Sequence, residues 1–182
     1  MRRAQLQILE DLIMIPSPSG FEKDIATYIM GCLKGLPVTV AKDREHNVSV
    51  TILGRTDTVV MIDAHMDQLG FIVTNMDKSG FLSISQLGGA DVQITSARNL
   101  VILGDKGPVN AIVNRQHSHL VDDEDLEALI HVEDALVDTG SRCISEMQKH
   151  VSVGDPVVYP LSFNRLLGGN YSACGLDDKS GC

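Results

Sequence analysis

The sequence contains no tryptophan, and aromatic residues fill only 4% of its 182 positions. Cationic side chains are also in deficit, with 15 Lys and Arg against 24 Asp and Glu and a net charge of −9. Such a chain repels a phosphate backbone and has few ring surfaces on which bases could stack, so no nucleic-acid partner is expected. No apolar run approaches the roughly 20 residues that cross a bilayer, so no membrane partner is expected either. The first residues, MRRAQLQILEDL, carry acids among their apolar positions, unlike a signal peptide. Cysteine is sparse, and Cys32, Cys143, Cys174 and Cys182 form no C-x-x-C pair. Free thiols of that kind suit a reducing compartment, and a cytoplasmic location is expected.

What is present is an ordinary globular composition, 43% hydrophobic and 21% charged, long enough for one good core or two small ones. The rest of the chain is organised around Val59-Val60-Met61-Ile62-Asp63-Ala64-His65-Met66-Asp67-Gln68-Leu69-Gly70. Residues 59–62 are apolar and β-branched without alternation, which predicts a strand covered on both faces within residues 58–64. Ligands bind beyond the carboxyl ends of strands in open α/β sheets. Side chains two apart in extended chain share a face, so His65 and Asp67 can point the same way. A metal-bound imidazole usually donates its other N–H to a carboxylate, the relation that His-x-Asp would supply. Taken alone, the motif is more simply a solvated histidine beside an unrelated aspartate.

Ahead of this stretch, Leu6, Leu9, Leu12 and Ile13 share one helical face, predicting a helix over residues 3–14 that Pro16-Ser17-Pro18 ends. Ser19-Gly20-Phe21-Glu22 has the form of a capping box. The helix it opens carries Ile25, Ile29 and Leu33 in one stripe and stops at Gly35-Leu36-Pro37. Strands are expected at residues 38–40 and 48–53. After Gly70 the texture changes to short strands, expected at residues 71–73, 81–85, 92–95, 100–103, 109–113, 132–137 and 157–159. A short helix is expected over residues 141–149, capped by Ser141. Many short strands at close spacing describe a small barrel or sandwich. A β-rich block inside an α/β framework is an inserted domain. The acidic run Asp122-Asp123-Glu124-Asp125 lacks the glycine and spacing of a calcium loop and reads as a solvated loop.

The chain ends on Gly175-Leu176-Asp177-Asp178-Lys179-Ser180-Gly181-Cys182. Two adjacent carboxylates entering a helix could gather cations, Asp177 bridging two through its two oxygens. A turn in which they cap the next helix is the simpler reading of Asp-Asp alone. His117-Ser118-His119 lies in the inserted block and reads as surface loop. Cys174 and Cys182 flank Asp177 and are expected to be small buried thiols rather than soft ligands.

Together these segments resemble the M42 family of metallo-aminopeptidases, which includes the tetrahedral and the glutamyl aminopeptidases. The resemblance runs along nearly the whole chain. It is carried by Ile15-Pro16-Ser17-Pro18-Ser19-Gly20-Phe21-Glu22, Asn47-Val48, Ala64-His65-Met66-Asp67-Gln68-Leu69-Gly70-Phe71 and Leu87-Gly88-Gly89-Ala90-Asp91. It continues through Asp138-Thr139-Gly140, Val153-Gly154-Asp155-Pro156-Val157-Val158 and the final eight residues. It implies part of an aminopeptidase-type α/β catalytic domain, residues 1–70 and 166–182, interrupted by a PDZ-like dimerisation domain, residues 71–165. It further implies two divalent metal ions, zinc or cobalt, with His65 binding one and Asp177 bridging both. Asp67 would serve catalysis by orienting His65, and the Asp177–Asp178 peptide bond would be cis. Peptides shortened from their N-termini would be the substrates, and homo-oligomers the working form.

Two positions depart from the family pattern: Gln68 where Glu is common, and Lys179 where Arg is usual. Neither is a metal ligand, and altered substrate contacts are the expected consequence. The adjacent glutamates, the aspartate and the second histidine that the family places after Asp-Asp have no counterpart here, so the chain is expected to lack activity alone. Two other classes compete. A non-catalytic assembly module would keep the dimerising insertion beside a vestigial half-site. A glycoside hydrolase would need two carboxylates about 5–10 Å apart and, usually, aromatic platforms, which this composition does not favour.

Overall fold

The computed structural model describes residues 3–89, 95, 97–114 and 135–182. Residues 92–94 of the strand expected at 92–95, the His117-Ser118-His119 pair, the acidic run at 122–125 and the first part of the strand expected at 132–137 lie outside the described residues. The chain divides into two compact units, Met1–Gln68 with Leu161–Cys182, and Leu69–Pro160. The sequence had placed these boundaries at 71 and 165.

In the first unit, α1 spans Arg3–Ile13 and buries Leu12 and Ile13 at its C-terminal end. Helix α2 spans Lys23–Cys32 and buries Ile25 and Ala26. Both follow from apolar residues recurring every three or four positions. The capping box does not form as expected. The cap is Glu22, which makes no side-chain capping bond. Its carboxylate instead accepts from the Gly20 N–H at 2.7 Å, and the Ser19 hydroxyl is engaged elsewhere. Strands β1, Thr39–Lys42, and β2, Val48–Thr51, form an antiparallel hairpin.

The stretch expected to be a buried strand is neither a strand nor buried. Residues 52–67 pair with no strand, and Val59 and Ile62 are each 89% exposed. A doubly covered strand requires neighbours on both sides to satisfy its backbone, and among the described residues none lies beside this run. Only at its end does the segment become anchored. Gln68 bridges Pro18 in parallel fashion, and its N–H donates to the Ser17 carbonyl at 2.9 Å.

The second unit is a closed barrel of six strands. These are β3, Gly70–Met76; β4, Leu82–Leu87; β5, Asn99–Gly104; β6, Gly107–Asn114; β7, Leu136–Asp138; and β8, Pro156–Val158. Their order around the barrel is β3-β4-β7-β6-β5-β8, and every pairing is antiparallel. Alternation drives the inward face: Phe71 and Val73, Leu82 and Ile84, Leu100 and Ile102, Ala111 and Val113 are all buried. A register shift between Val73 and Asn75 marks a bulge in β3. Helix α3, Ile144–Met147, is shorter than expected and is capped at Cys143 rather than Ser141. It contributes Met147 to the core, and Tyr159 packs edge-on against Phe71 with ring centroids 5.7 Å apart.

Beyond the barrel the chain rejoins the first unit. Strands β9, Phe163–Arg165, and β10, Tyr171–Ala173, pair antiparallel, with Phe163 and Tyr171 stacked at 5.1 Å. A final helical turn, α4, Leu176–Lys179, follows Gly175, whose φ of 79° is in the left-handed region where a side chain is disfavoured. The Asp177–Asp178 peptide bond is cis. Among the described residues no helix is long and apolar enough to cross a membrane.

Candidate metal site

Three segments of the first unit meet at His65: the loop after α1, the anchored end of the 52–67 stretch, and α4. Nδ1 of His65 lies 3.1 Å from Asp67 Oδ1, and Nε2 lies 3.1 Å from Asp177 Oδ1. Each ring nitrogen thus faces a carboxylate oxygen, an acceptor for an N–H where the ring carries one. Partial desolvation pulls the His65 pKa down, but the Asp177 hydrogen bond and the Asp67 charge outweigh it, and the net shift is upward. The second oxygen of Asp67 accepts a short hydrogen bond from Ser19 Oγ. Asp67 is thereby fixed at both oxygens, and it fixes the ring in turn. Asp177 stands almost fully in solvent, 96% exposed, at the mouth of this arrangement.

Donors bound to one zinc ion sit about 2.0–2.2 Å from it, which separates them from each other by about 3.3 Å in a tetrahedron. The Nε2–Oδ1 spacing of 3.1 Å fits that geometry with Nε2 unprotonated. The set is nonetheless short of four. Among the described residues no group of three or more His, Cys, Asp and Glu side chains could hold a metal. Asp63 is exposed, and the Glu22 carboxylate accepts from the Gly20 amide. The thiols differ from expectation, since Cys182 is exposed and Cys174 only half-buried. The Cys182 thiol lies against the His65 carbonyl at 3.7 Å rather than against the ring.

Two features escaped the sequence. Ser19 orients Asp67, and its place in the Ser19-Gly20 motif was the only signal. Gln68 and Lys179, expected to alter substrate contacts, are buried against each other, at 4% and 0% exposure. Lys179 Nζ donates to Gln68 Oε1 at 2.5 Å and to the Ile15 carbonyl at 2.7 Å. Burial lowers its pKa to about 8, although the nearby Cys182 and Asp67 charges oppose that shift. Neither side chain is available to a substrate.

The first unit, mixed α/β and interrupted by the barrel, thus holds a histidine between two aspartates. The family model for M42 glutamyl aminopeptidase matches residues 46–182. The chain belongs to this family. It is 30% identical over 181 residues to the SgcX protein of Escherichia coli strain K12, named as an aminopeptidase by inference, covering 97% of this chain and 48% of that protein. It is 26% identical over 176 residues to the lysyl aminopeptidase of Pyrococcus furiosus, covering 95% of this chain and 51% of the relative. Among solved structures it superposes on the TET1 peptidase of Pyrococcus horikoshii, which can assemble into a tetrahedron or a large octahedral shell. That match has a TM-score of 0.83 at 27% identity and covers 97% of this chain and 53% of the other. The chain thus spans about half the length of the curated relatives it matches.

Proposed function

We propose that these 182 residues contribute part of a two-metal aminopeptidase centre, with the remaining ligands and the general base supplied by polypeptide outside them. The observation that carries this reading is the His65 ring held between Asp67 and Asp177 at 3.1 Å on either side. Two divalent cations, zinc or cobalt, would polarise a water and the scissile carbonyl when bound. The chain's own residues prepare for them. Asp67, locked by Ser19, holds Nδ1–H and so presents the Nε2 lone pair outward. Asp177 has a second oxygen free to reach a second ion. The substrates are peptides, cleaved at their N-termini, and the enzyme works in the cytoplasm, a location that the four free thiols support.

The barrel unit, Leu69–Pro160, is read as the PDZ-like dimerisation domain of a homo-oligomer. Its support is the self-contained core together with the shell-forming relative. A second reading, a non-catalytic assembly module with a vestigial half-site, draws on the small donor set alone. Zinc content separates the two, since a vestigial site holds well under one ion per chain at micromolar free zinc.

Activity provides the test. Two metals and a base act as a unit, so part of the set does not give part of the rate. The 182-residue chain, with cobalt or zinc added, should not turn over leucyl- or glutamyl-p-nitroanilide. Turnover that disappears in His65→Ala would show that these residues suffice and would overturn the reading of a shared centre.

A further inference from the structure

A fully buried lysine whose hydrogen-bond acceptors are an amide and a backbone carbonyl calls for an explanation. Taking a cation out of water is costly unless it is well partnered, and an apolar side chain of similar length would fill the same space without that cost. The explanation lies in what Lys179 joins. The loop after α1 and the 65–68 stretch are already zipped together. Ser17 Oγ donates to the Met66 carbonyl at 3.0 Å, the Gln68 N–H donates to the Ser17 carbonyl at 2.9 Å, and Ser19 Oγ donates to Asp67. These bonds place His65 and Asp67, but none of them reaches Asp177.

Asp177 belongs to the separate turn α4. Apart from the His65–Asp177 contact, three hydrogen bonds among the described residues tie α4 and the residues after it to the zipped pair. Two come from Lys179, to Gln68 Oε1 and the Ile15 carbonyl, and one is the long Cys182 sulfur contact to the His65 carbonyl at 3.7 Å. Lys179 lies two residues past Asp177, and Gln68 is the residue after Asp67. The link therefore runs close behind both metal-facing side chains. Gly175 permits the approach: a Cβ there would sit 3.3 Å from the Gln68 side chain.

We propose that Lys179 is a positioning residue which, through Gln68 and the Ile15 carbonyl, sets the spacing between His65 and Asp177 at which they share a cation. It touches neither metal nor substrate. The proposal rests on the metal-binding reading of those two residues. It extends that reading by assigning a joint function to two positions that are not ligands.

The test compares wild type with Lys179→Met, Gln68→Met, the double variant and Lys179→Arg. Zinc affinity is measured by calorimetry on the full chain, and the His65 ring nitrogens are followed by 15N NMR in the metal-free chain. Lys179→Met and Gln68→Met should each weaken zinc binding by about 10–100-fold, as changes behind a ligand do. The double variant should bind zinc as Lys179→Met does, because that change already removes the Gln68 link. Lys179→Arg, which keeps donors at the same place, should recover most of the affinity. The His65 ring shifts should move in both single variants, since the Asp177 contact loosens. Zinc bound by Lys179→Met as tightly as by wild type would overturn the proposal. If Lys179→Met does not fold, Gln68→Met, which leaves the Ile15 bond in place, decides by the same criteria. Should wild type bind no zinc, the metal reading fails by itself, and the ring shifts then decide. Unmoved shifts in both variants refute positioning, and moved shifts sustain it.

Discussion

Lys179 makes the stability of the first unit depend on pH in an unusual direction. Its ordinary pKa of 10.5 is lowered in the folded chain to about 8, with burial as the principal cause. Between those two values the unfolded chain still holds a proton that the folded chain has released. Folding stability therefore rises with pH across this window, and below about pH 8 the cost of the buried charge is present in full. At about 1.36 kcal/mol per pH unit, the interval is worth about 3 kcal/mol. The neutral amine suits the site, because it has two N–H donors for the two acceptors, Gln68 Oε1 and the Ile15 carbonyl. The assay is urea unfolding of metal-free wild type and Lys179→Met at several pH values from 7 to 10.5. It is followed by helix circular dichroism, which α1 and α2 of the first unit dominate. Groups common to both chains cancel in the difference. Wild type should gain up to about 3 kcal/mol relative to Lys179→Met between pH 8 and 10.5. Parallel stability curves would refute the argument, because they would mean that the ammonium is solvated or compensated at neutral pH.

Other outcomes follow from the same structure. Asp67→Asn should weaken zinc affinity about 10–100-fold, since it disturbs the ring rather than the metal; complete loss by calorimetry would make Asp67 a direct ligand. Phe71→Ala, at a fully buried barrel position against Tyr159, should cost the second unit about 3–5 kcal/mol in a denaturant titration. Ile62→Lys, on the exposed apolar run, should change stability by no more than about 0.5 kcal/mol while reducing self-association in light scattering. A loss of several kcal/mol there would mean that the run is buried in solution.

How much of this was legible in the sequence varied with the range of the forces involved. Helices α1 and α2 and several strands of the barrel were readable because apolar residues recur with the local period of helix or strand. That His65 and Asp67 could share a side was readable for the same reason. Residues 59–62 misled because composition reports what a segment would bury, whereas strand formation needs a neighbour to pair with. Ser19 was assigned to a local cap, yet the competing acceptor, Asp67, lies 48 positions away and wins the hydroxyl. The Lys179–Gln68 link spans 111 positions and has no periodicity to betray it. A lysine is ordinarily read as solvated, and here only tertiary structure reveals that it is enclosed.

The central claim is that His65 and Asp177 hold a divalent cation. Its most direct test is a calorimetric zinc titration near neutral pH of wild type and His65→Ala, with circular dichroism to verify that the fold is retained. Wild type should bind up to one ion per chain, with His65 Nε2 and Asp177 Oδ1 as donors. His65→Ala should bind none at that site. Equal stoichiometry and affinity in the two proteins would contradict the account.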